Sequence, residues 1–339
     1  MPRYVIHIGP HKTGTTYLQH AFTRLRPELT ARGILYPHKW GNGEHGHHDL
    51  PTALAQADDT SLPQAFEALN RSGADTILLS SETFSYSSDG DVRRLHSLVA
   101  GQPVQVVFYC RRWSELLPSV WRESVKHGSA KTMPEYVLEC LADPTTSPVV
   151  NFSQVLDRYA AVFGPDAIRI VSYNSVLEAN DDLLTHFCRS FLSWPDPPPT
   201  GLGRVNPSLD MVDSELIRTL NSMEWIRARD ARELLFEPFL AAKADLPIRL
   251  IVEKSMQFVV YRVRIDDASP ALAQLNAVIA ERYQSALVPP FPVGGLFEPG
   301  ADDVTYVLSD YVLAEGMMEV MRTMRETLLQ RVNSGDRRS

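Results

Sequence analysis

One stretch near the start of the chain decides the fold: Val5-Ile6-His7-Ile8-Gly9-Pro10-His11-Lys12-Thr13-Gly14-Thr15-Thr16-Tyr17-Leu18-Gln19. It begins as a short apolar strand, passes through a tight loop bounded by two glycines, and enters a helix with apolar residues at helical spacing. The first backbone N–H groups of a helix have no partners within the helix and lie at the positive end of its dipole. A loop that leads into a helix in this way predicts a phosphate-binding site.

The spacing from Gly9 to Gly14 equals that of the nucleotide phosphate loop, which continues with Lys and then Ser or Thr. Here Thr15 and Thr16 follow instead, and the lysine lies inside the loop as Lys12. This change disfavours an ordinary ATPase, because the lysine that reaches the β- and γ-phosphates is missing from its place. It favours a cradle for one phosphate group beside a cation, which suits transfer of a group attached to a 5′-phosphate. A turn without any ligand is the structural alternative.

At these residues the chain resembles the sulfotransferases that use 3′-phosphoadenosine-5′-phosphosulfate (PAPS). Their 5′-phosphosulfate loop is similar to the run Lys12-Thr13-Gly14-Thr15-Thr16. Their second motif is an Arg at the end of a later strand, followed eight residues on by a Ser. This chain has an apolar strand over Val104 to Tyr109, then Arg111, and then Ser119 at the matching distance. The resemblance covers residues 1–200 and weakens beyond them.

The resemblance implies an enzyme and assigns the residues that bind its cofactor. The 5′-phosphosulfate would lie against Lys12, Thr13, Gly14, Thr15 and Thr16, and the 3′-phosphate against Arg111 and Ser119. A guanidinium offers forked donors that suit phosphate oxygens, and Arg112 is the alternative ligand. Tyr173, at the end of an apolar strand, is a further cofactor candidate unless it only packs in the core. Arg204, in a Gly-containing loop, is a candidate for closing the site.

Glu82 is the first candidate for a general base. The buried-strand pattern that starts at Thr76 ends in polar residues, and in open α/β sheets the ligand crevice lies at the carboxyl ends of the strands. Some sulfotransferases use a Glu as the base in a comparable setting and others use a His. The resemblance therefore favours Glu82 and leaves His47 or His48 as alternatives. The structural alternative for Glu82 is a carboxylate that only hydrogen-bonds the loop or a helix start.

The loop from Gly41 to Asp49 is rich in Gly and His. Imidazoles and carboxylates are common metal ligands, and this loop carries Glu44, His45, His47, His48 and Asp49. A metal site, a role at the acceptor pocket, and histidines that are merely solvated are all open interpretations, although a Gly-rich segment imposes no fixed ligand geometry. The sulfuryl-transfer scheme implied by the resemblance requires no metal, so we expect no metal cofactor.

Composition narrows the class of protein. The chain has 339 residues and a formal charge of −8, which argues against a general nucleic-acid or anionic-membrane binder. Its three cysteines are widely separated, so we expect neither a disulfide framework nor a Cys zinc site, and we expect a cytoplasmic location. The N-terminus soon enters a strand, and no apolar run approaches the ~20 residues of a membrane helix. We therefore expect no signal peptide, no anchor and no membrane span.

Together these patterns predict an α/β protein with a P-loop-like three-layer fold around a mainly parallel sheet. We expect residues 1–200 to form the core with the cofactor site, and residues 201–339 to form a mostly helical extension. The expected activity is transfer of a sulfuryl group from PAPS to an acceptor hydroxyl on a glycan, glycolipid or small metabolite. The alternatives are a phosphotransferase and a nucleotide-binding module without catalysis. Nothing in the sequence indicates an oligomeric state.

Overall fold

The computed structural model describes residues 1–41, 45–56, 60–201, 209–222, 235–242, 261–292, 295–306 and 322–330. The chain divides into two compact units, each built from three separate parts of the sequence. Unit 1 consists of Met1–Arg112, Pro144–Asn206 and Asp267–Gly300, and unit 2 consists of Trp113–Asp143, Pro207–Asp266 and Ala301–Ser339. Both units have parts on either side of residue 200, where the sequence analysis places its boundary, and that boundary stays a prediction.

A six-stranded sheet forms the centre of unit 1. Its strands follow the spatial order β2-β3-β1-β4-β5-β7, and every neighbouring pair is parallel. The strands are β1 (Arg3–His7), β2 (Ile34–Leu35), β3 (Thr76–Ser80), β4 (Val104–Cys110), β5 (Ile168–Ser172) and β7 (Leu287–Val288). Because β3 and β4 lie on opposite sides of β1, the strand order reverses there, and such a point is where open parallel sheets bind ligands.

Helices connect most of the strands. In chain order the described α-helices are α1 (Thr15–Arg24), α2 (Arg26–Ala31), α3 (Asp49–Ala55), α4 (Ser61–Asn70), α5 (Asp89–Leu98), α6 (Trp113–Lys126), α7 (Met133–Ala142), α8 (Phe152–Phe163), α9 (Tyr173–Glu178), α10 (Leu183–Phe191), α11 (Met211–Ser222), α12 (Phe236–Ala242) and α13 (Pro270–Arg282). Short 3₁₀ helices cover Glu82–Tyr86, Pro165–Ala167 and Gln284–Ala286, and residues 322–330 are helical. None of the described helices is long and apolar enough to cross a membrane.

The sheet of unit 1 is covered on both faces. Successive side chains of a strand point to opposite faces, so Tyr4 and Val5 pack on different sides. Val5 belongs to a buried apolar cluster with the inner faces of α1 and α10. On the other face, Tyr4 stacks on Phe66 of α4 at 6.1 Å between ring centroids. The α/β fold with a central parallel sheet between helical layers is therefore confirmed.

Unit 2 contains the remaining elements. Strands β6 (Tyr261–Asp266) and β8 (Ala301–Tyr306) pair antiparallel, and α6 packs against α7 and α11. In α11, the buried Arg218 guanidinium lies 2.6 Å from Glu215. The Asn221 amide donates hydrogen bonds to the carbonyl oxygens of Val125 and Ser129, at 2.9 and 3.0 Å. These buried polar contacts fix α11 against the end of α6.

Several elements differ from the sequence expectation. Apolar residues at helical spacing between Leu50 and Arg71 predict one helix there, and the structure has two, α3 and α4. Tyr173 begins helix α9 rather than ending β5, because Ser172 caps that helix by accepting a hydrogen bond from the Ser175 N–H. The region after residue 200 was expected to be mostly helical, and its described part also contains β6, β7 and β8. Strand β7 has only two residues, which is too short for a periodic pattern.

Gly9 joins the first strand to the rest of unit 1. Its φ is +88°, a left-handed conformation that side chains disfavour, and a Cβ at this position would lie 2.9 Å from the Glu82 Cα. The Ser81 N–H donates to the His7 carbonyl at 3.0 Å, and the Tyr109 N–H donates to the Gly9 carbonyl at 3.0 Å. The turn after β1 is thus held directly against the ends of β3 and β4.

We predict that Gly9→Ala destabilises the protein more than Gly73→Ala does. Gly73 has a similar φ of +80° and would gain a Cβ with nothing within 4 Å, so it shares the backbone strain without the contact. We expect Gly73→Ala to cost about 1–2 kcal/mol of unfolding free energy and Gly9→Ala about 1–3 kcal/mol more. Urea unfolding of both variants measures the difference. Equal losses would show that the backbone of Glu82 does not constrain this turn.

Candidate functional site

The candidate site lies where the parallel strands of unit 1 end. The loop of residues 8–14 follows β1, Glu82 follows β3, Arg111 follows β4, and Tyr173 follows β5. The carboxyl ends of neighbouring parallel strands lie at one edge of a sheet, so residues from four separate segments approach each other. We call the loop of residues 8–14 the phosphate loop. Unit 1 contains this loop and four other residues predicted from the sequence, Glu82, His48, Arg111 and Tyr173.

The loop of residues 8–14 ends at a helix start whose first amides have the geometry to hold an anion. Gly14 is the N-cap of α1 at φ 81°, and its carbonyl accepts the first helical hydrogen bond, from the Leu18 N–H at 3.1 Å. No described side chain caps this end of the helix. The buried Thr13 hydroxyl donates to the Pro10 carbonyl at 2.7 Å, which closes the loop on itself. The first amides of α1, including those of Thr15 and Thr16, therefore point their partial positive charge out of the helix end.

The side chain of Arg111 is hydrogen-bonded to the backbone of this loop. Lys12 has a φ of 68°, and the Arg111 Nη1 donates to the Lys12 carbonyl at 2.8 Å. The Arg111 Cζ also lies 5.1 Å from the ring centroid of Tyr173. A Cβ on Gly14 would lie 3.5 Å from the same ring and 2.6 Å from the Leu183 Cδ1. Arg111 thus places a second positive charge next to the loop, packed on an aromatic face.

Arg112 has different partners. Its backbone N–H donates to the Asn174 Oδ1 at 2.8 Å, and its guanidinium forms an ion pair with Glu178. Both partners belong to α9. Of the two arginines that the sequence offers for a phosphate, Arg111 contacts the loop and Arg112 pairs with a carboxylate.

Glu82 is a nearly buried carboxylate among nitrogen groups. Its side chain is 13% exposed, and its Oε2 accepts a hydrogen bond from the Gln19 Nε2 at 2.8 Å. The Nδ1 of His11 lies 3.8 Å from Oε1, and the Nδ1 of His48 lies 3.8 Å from Oε2. Burial raises the pKa of the Glu82 carboxyl, but the charges of His11 and His48 and the Gln19 hydrogen bond lower it more. The net result is a pKa below the ordinary value of 4.5, so the group is a carboxylate at neutral pH.

The adjacent histidines His47 and His48 have separate duties. The buried His47 accepts a hydrogen bond from the Ser80 N–H at its Nδ1, so its Nε2 carries the proton and donates to the Pro37 carbonyl, both at 3.0 Å. Burial lowers the pKa of His47 to about 4, and a neutral ring satisfies both partners. His48 is partly exposed and its Nδ1 lies 3.1 Å from the Ser81 hydroxyl. His47 anchors its own segment, residues 45–49, to β3, and His48 faces the Glu82 carboxylate.

Other residues named from the sequence lie elsewhere. Ser119 is half-buried in α6 of unit 2, and its assignment stays a prediction. Arg204 and Glu44 lie outside the described residues. Within the described part of the chain, no three His, Cys, Asp or Glu side chains are grouped so that they could hold a metal ion. Cys110, Cys140 and Cys188 are buried, and they form no disulfide within the described part of the chain.

Three residues of the site were missed in the sequence. Gln19 lies one helical turn after Thr15 on α1, His11 precedes Lys12, and Tyr86 lies one turn after Glu82. The helical spacing of Gln19 from the phosphate loop was a usable signal, because residues four apart share a helix face. The role of His11 required knowledge of which strand lies beside β1.

Comparisons with known proteins add one structural likeness. No protein-family model matches the chain, and no curated protein matches its sequence. Among solved structures, the chain is similar to the crystal structure of a sulfotransferase from Alicyclobacillus acidocaldarius, with 16% sequence identity and a TM-score of 0.38. The match covers 73% of this chain and 95% of that chain. A likeness of this size carries no conclusion about activity, so we derive function from the residues of the site.

We predict that acidification destabilises the fold through its buried histidines. Burial lowers the pKa of His7 and of His47 to about 4, so each ring stays neutral in the folded protein while the unfolded chain binds a proton near 6.5. Stability is therefore complete above pH 6.5 and falls as the pH drops toward 4, by about 2 kcal/mol per histidine at about pH 5. Urea unfolding near neutral pH and at about pH 5 measures this loss.

His47→Gln tests the contribution of one ring. A glutamine amide can donate to the Pro37 carbonyl and accept from Ser80 without titrating, so we expect about 2 kcal/mol less loss on acidification. His127→Gln is the control, because His127 is exposed on the surface. If His47→Gln loses as much stability as the wild type, His47 is not the group that titrates.

Proposed function

We propose that the chain is a PAPS-dependent sulfotransferase that acts on a hydroxyl of a glycan, glycolipid or small metabolite. The observation that carries this proposal is the position of the Glu82 carboxylate, 3.8 Å from His11 of the phosphate loop. In this proposal the anion site of the loop is next to an ionised base, Glu82, and Lys12 follows His11 in the chain. We further propose that the enzyme works in the cytoplasm and needs no metal.

The donor site fits a 5′-phosphosulfate. The uncapped start of α1 offers the amides of Gly14, Thr15 and Thr16, whose dipole favours an anion. Arg111 beside the loop suits the 3′-phosphate of the nucleotide, and Ser119 stays a candidate from the sequence alone. Tyr173, under the Arg111 guanidinium, would support that arginine rather than bind the donor alone. Arg204 remains the sequence candidate for closing the site.

The bound donor supplies an activated sulfuryl group whose bond to the 5′-phosphate breaks as the new bond to the acceptor oxygen forms. Lys12 would neutralise the charge that grows on the departing phosphate oxygen. Glu82 would accept the proton that the acceptor hydroxyl loses. The products are a sulfate ester and adenosine 3′,5′-bisphosphate. His48, against Oε2 of the base, would keep the carboxylate in place, or accept the proton itself as the alternative base.

An aromatic surface for the acceptor lies beside the base. Tyr86 is 56% exposed at the end of the 3₁₀ helix that Glu82 begins, and its ring centroid lies 5.5 Å from that of His11. Trp40, Trp113 and Trp121 are buried, so none of these three rings offers a face to a sugar. We assign the exposed Tyr86 face to a ring of the acceptor, since aromatic rings and sugar faces stack well.

We predict that Glu82→Gln lowers kcat by about 10²–10⁴-fold, because the amide cannot take the acceptor proton. Lys12→Ala is expected to lower kcat by about 10²–10³-fold through loss of transition-state charge stabilisation. Release of adenosine 3′,5′-bisphosphate from PAPS, with a chelator and a mixture of phenols, sugars and alcohols, measures both. Glu67→Gln is the control, because Glu67 pairs with Arg71 on an exposed helix face.

The pH profile separates the two candidate bases. A Glu82 base gives an acid limb of kcat/KM below 4.5, where its lowered pKa lies. A limb near ~6.5 in both the wild type and Glu67→Gln would instead indicate an imidazole base. Turnover only with ATP and magnesium would replace the proposal by a phosphotransferase. Nucleotide binding with no turnover of any acceptor would leave a binding module.

A further inference from the structure

We infer that Gln19 is a positioning residue for Glu82: its amide holds Oε2 of the carboxylate, so that Oε1 faces the phosphate loop and receives the acceptor proton. This inference rests on the proposed function, in which Glu82 is the base. Gln19 itself touches neither donor nor acceptor in this account. It acts through the carboxylate alone.

The contacts of Gln19 divide the two oxygens of Glu82. The Gln19 Nε2 lies 2.8 Å from Oε2 and 3.5 Å from the Ser80 hydroxyl, so both amide hydrogens have acceptors at the end of β3. His48 approaches Oε2 as well, whereas His11 of the phosphate loop approaches Oε1. Oε2 is therefore the oxygen held by Gln19 and His48, and Oε1 is the oxygen that faces His11 of the phosphate loop.

The amide is fixed in its orientation. Gln19 is buried, and a Cβ on Gly46 would lie 2.7 Å from its Cδ and 2.5 Å from the His48 Nε2. The Ser80 hydroxyl that receives the weaker hydrogen bond also lies 2.9 Å from the Nδ1 of the buried His7. A reversed amide would turn its carbonyl oxygen toward the carboxylate, which is repulsive. Packing and charge therefore both keep the Nε2 on Glu82.

This arrangement connects the base to the donor site through one helix. Gln19 lies one turn after Thr15, so the helix whose first amides face the anion also carries the donor that holds the base. Catalysis needs the acceptor oxygen, the transferred group and the base at fixed distances. A rigid α1 would set the distance between the last two.

The titratable groups around Glu82 all affect how its titration depends on pH. The titratable neighbours that interact with its charge are His7, His11, Tyr36, His48 and Tyr86. Burial lowers the pKa of His7 to about 4, and burial raises the pKa values of Tyr36 and Tyr86, so these three stay neutral between about pH 5 and 8. Among these neighbours, His11 and His48 are the groups whose charges lower the pKa of the Glu82 carboxyl.

We predict that Gln19→Met lowers kcat about 10–100-fold and moves the acid limb of kcat upward by about one pH unit, with little change in KM for PAPS. Methionine keeps the length of the side chain but has no donor, so the buried carboxylate loses its direct hydrogen bond. Gln154→Met is the control, because the Gln154 amide donates to the Thr145 carbonyl on a surface helix. Kinetics across pH and NMR titration of ¹³C-labelled glutamate carboxyls, with Glu82 assigned by Glu82→Gln, are the measurements.

A double-mutant cycle distinguishes an effect of Gln19 through Glu82 from a general effect on the structure. If Gln19 acts only through Glu82, Gln19→Met costs little further activity in the Glu82→Gln background. Additive losses, or a Glu82 pKa that Gln19→Met leaves unchanged, would overturn the inference. Gln19→Leu, which also lacks a donor, must change the Glu82 titration in the same direction and is the second variant if Gln19→Met does not fold.

The NMR titration needs no turnover. A failure of the proposed function would appear as a wild type that releases no adenosine 3′,5′-bisphosphate from PAPS with any acceptor. The carboxyl titration would still report whether Gln19 holds Glu82. If the wild type is active and Gln19→Met leaves the Glu82 titration unchanged, the positioning role alone is overturned.

Discussion

The site depends on one close backbone contact, between the turn at Gly9 and Glu82, the second residue after β3. Only a residue without a Cβ allows the Glu82 backbone to come this near, and the paired strands on both sides of β1 hold it there. From this contact the rest follows. The loop leads into the N-terminus of α1, and the carboxylate of Glu82 lies next to His11 of the loop. Arg111, which follows β4 on the other side of β1, donates to the Lys12 carbonyl.

The histidines of the site show how burial divides one residue type into two functions. His7 and His47 are enclosed and stay neutral, and the Nδ1 of each ring forms a hydrogen bond with Ser80 at the end of β3. His11 and His48 are partly exposed and lie at the two oxygens of a carboxylate. Both rings lie 3.8 Å from Glu82, and their charges lower the pKa of its carboxyl. The carboxylate is thus kept ionised in a nearly buried place, as a general base requires.

Much of this arrangement could be predicted from the sequence because it is local. The strand, the loop and the helix of residues 5–19 follow from apolar spacing and glycine positions, and Glu82 and Arg111 follow from the ends of strands. The choice between His47 and His48 could not be made, because the two are adjacent and only the pairing with β3 decides which one is buried. Gln19 was missed for a similar reason, since its partner lies on another strand. The two-residue β7 was missed because so short a strand has no pattern.

The central claim is that the loop before α1 and Arg111 together bind a nucleotide with separate 5′- and 3′-phosphate groups and no metal. Calorimetric titration with adenosine 3′,5′-bisphosphate and with ADP, in the presence of a chelator, on the wild type and on Arg111→Ala tests it most directly. We expect the bisphosphate to bind much more tightly than ADP, and we expect its binding to collapse in the variant. Equal affinity for both nucleotides, binding only when magnesium is added, or no binding at all would contradict it.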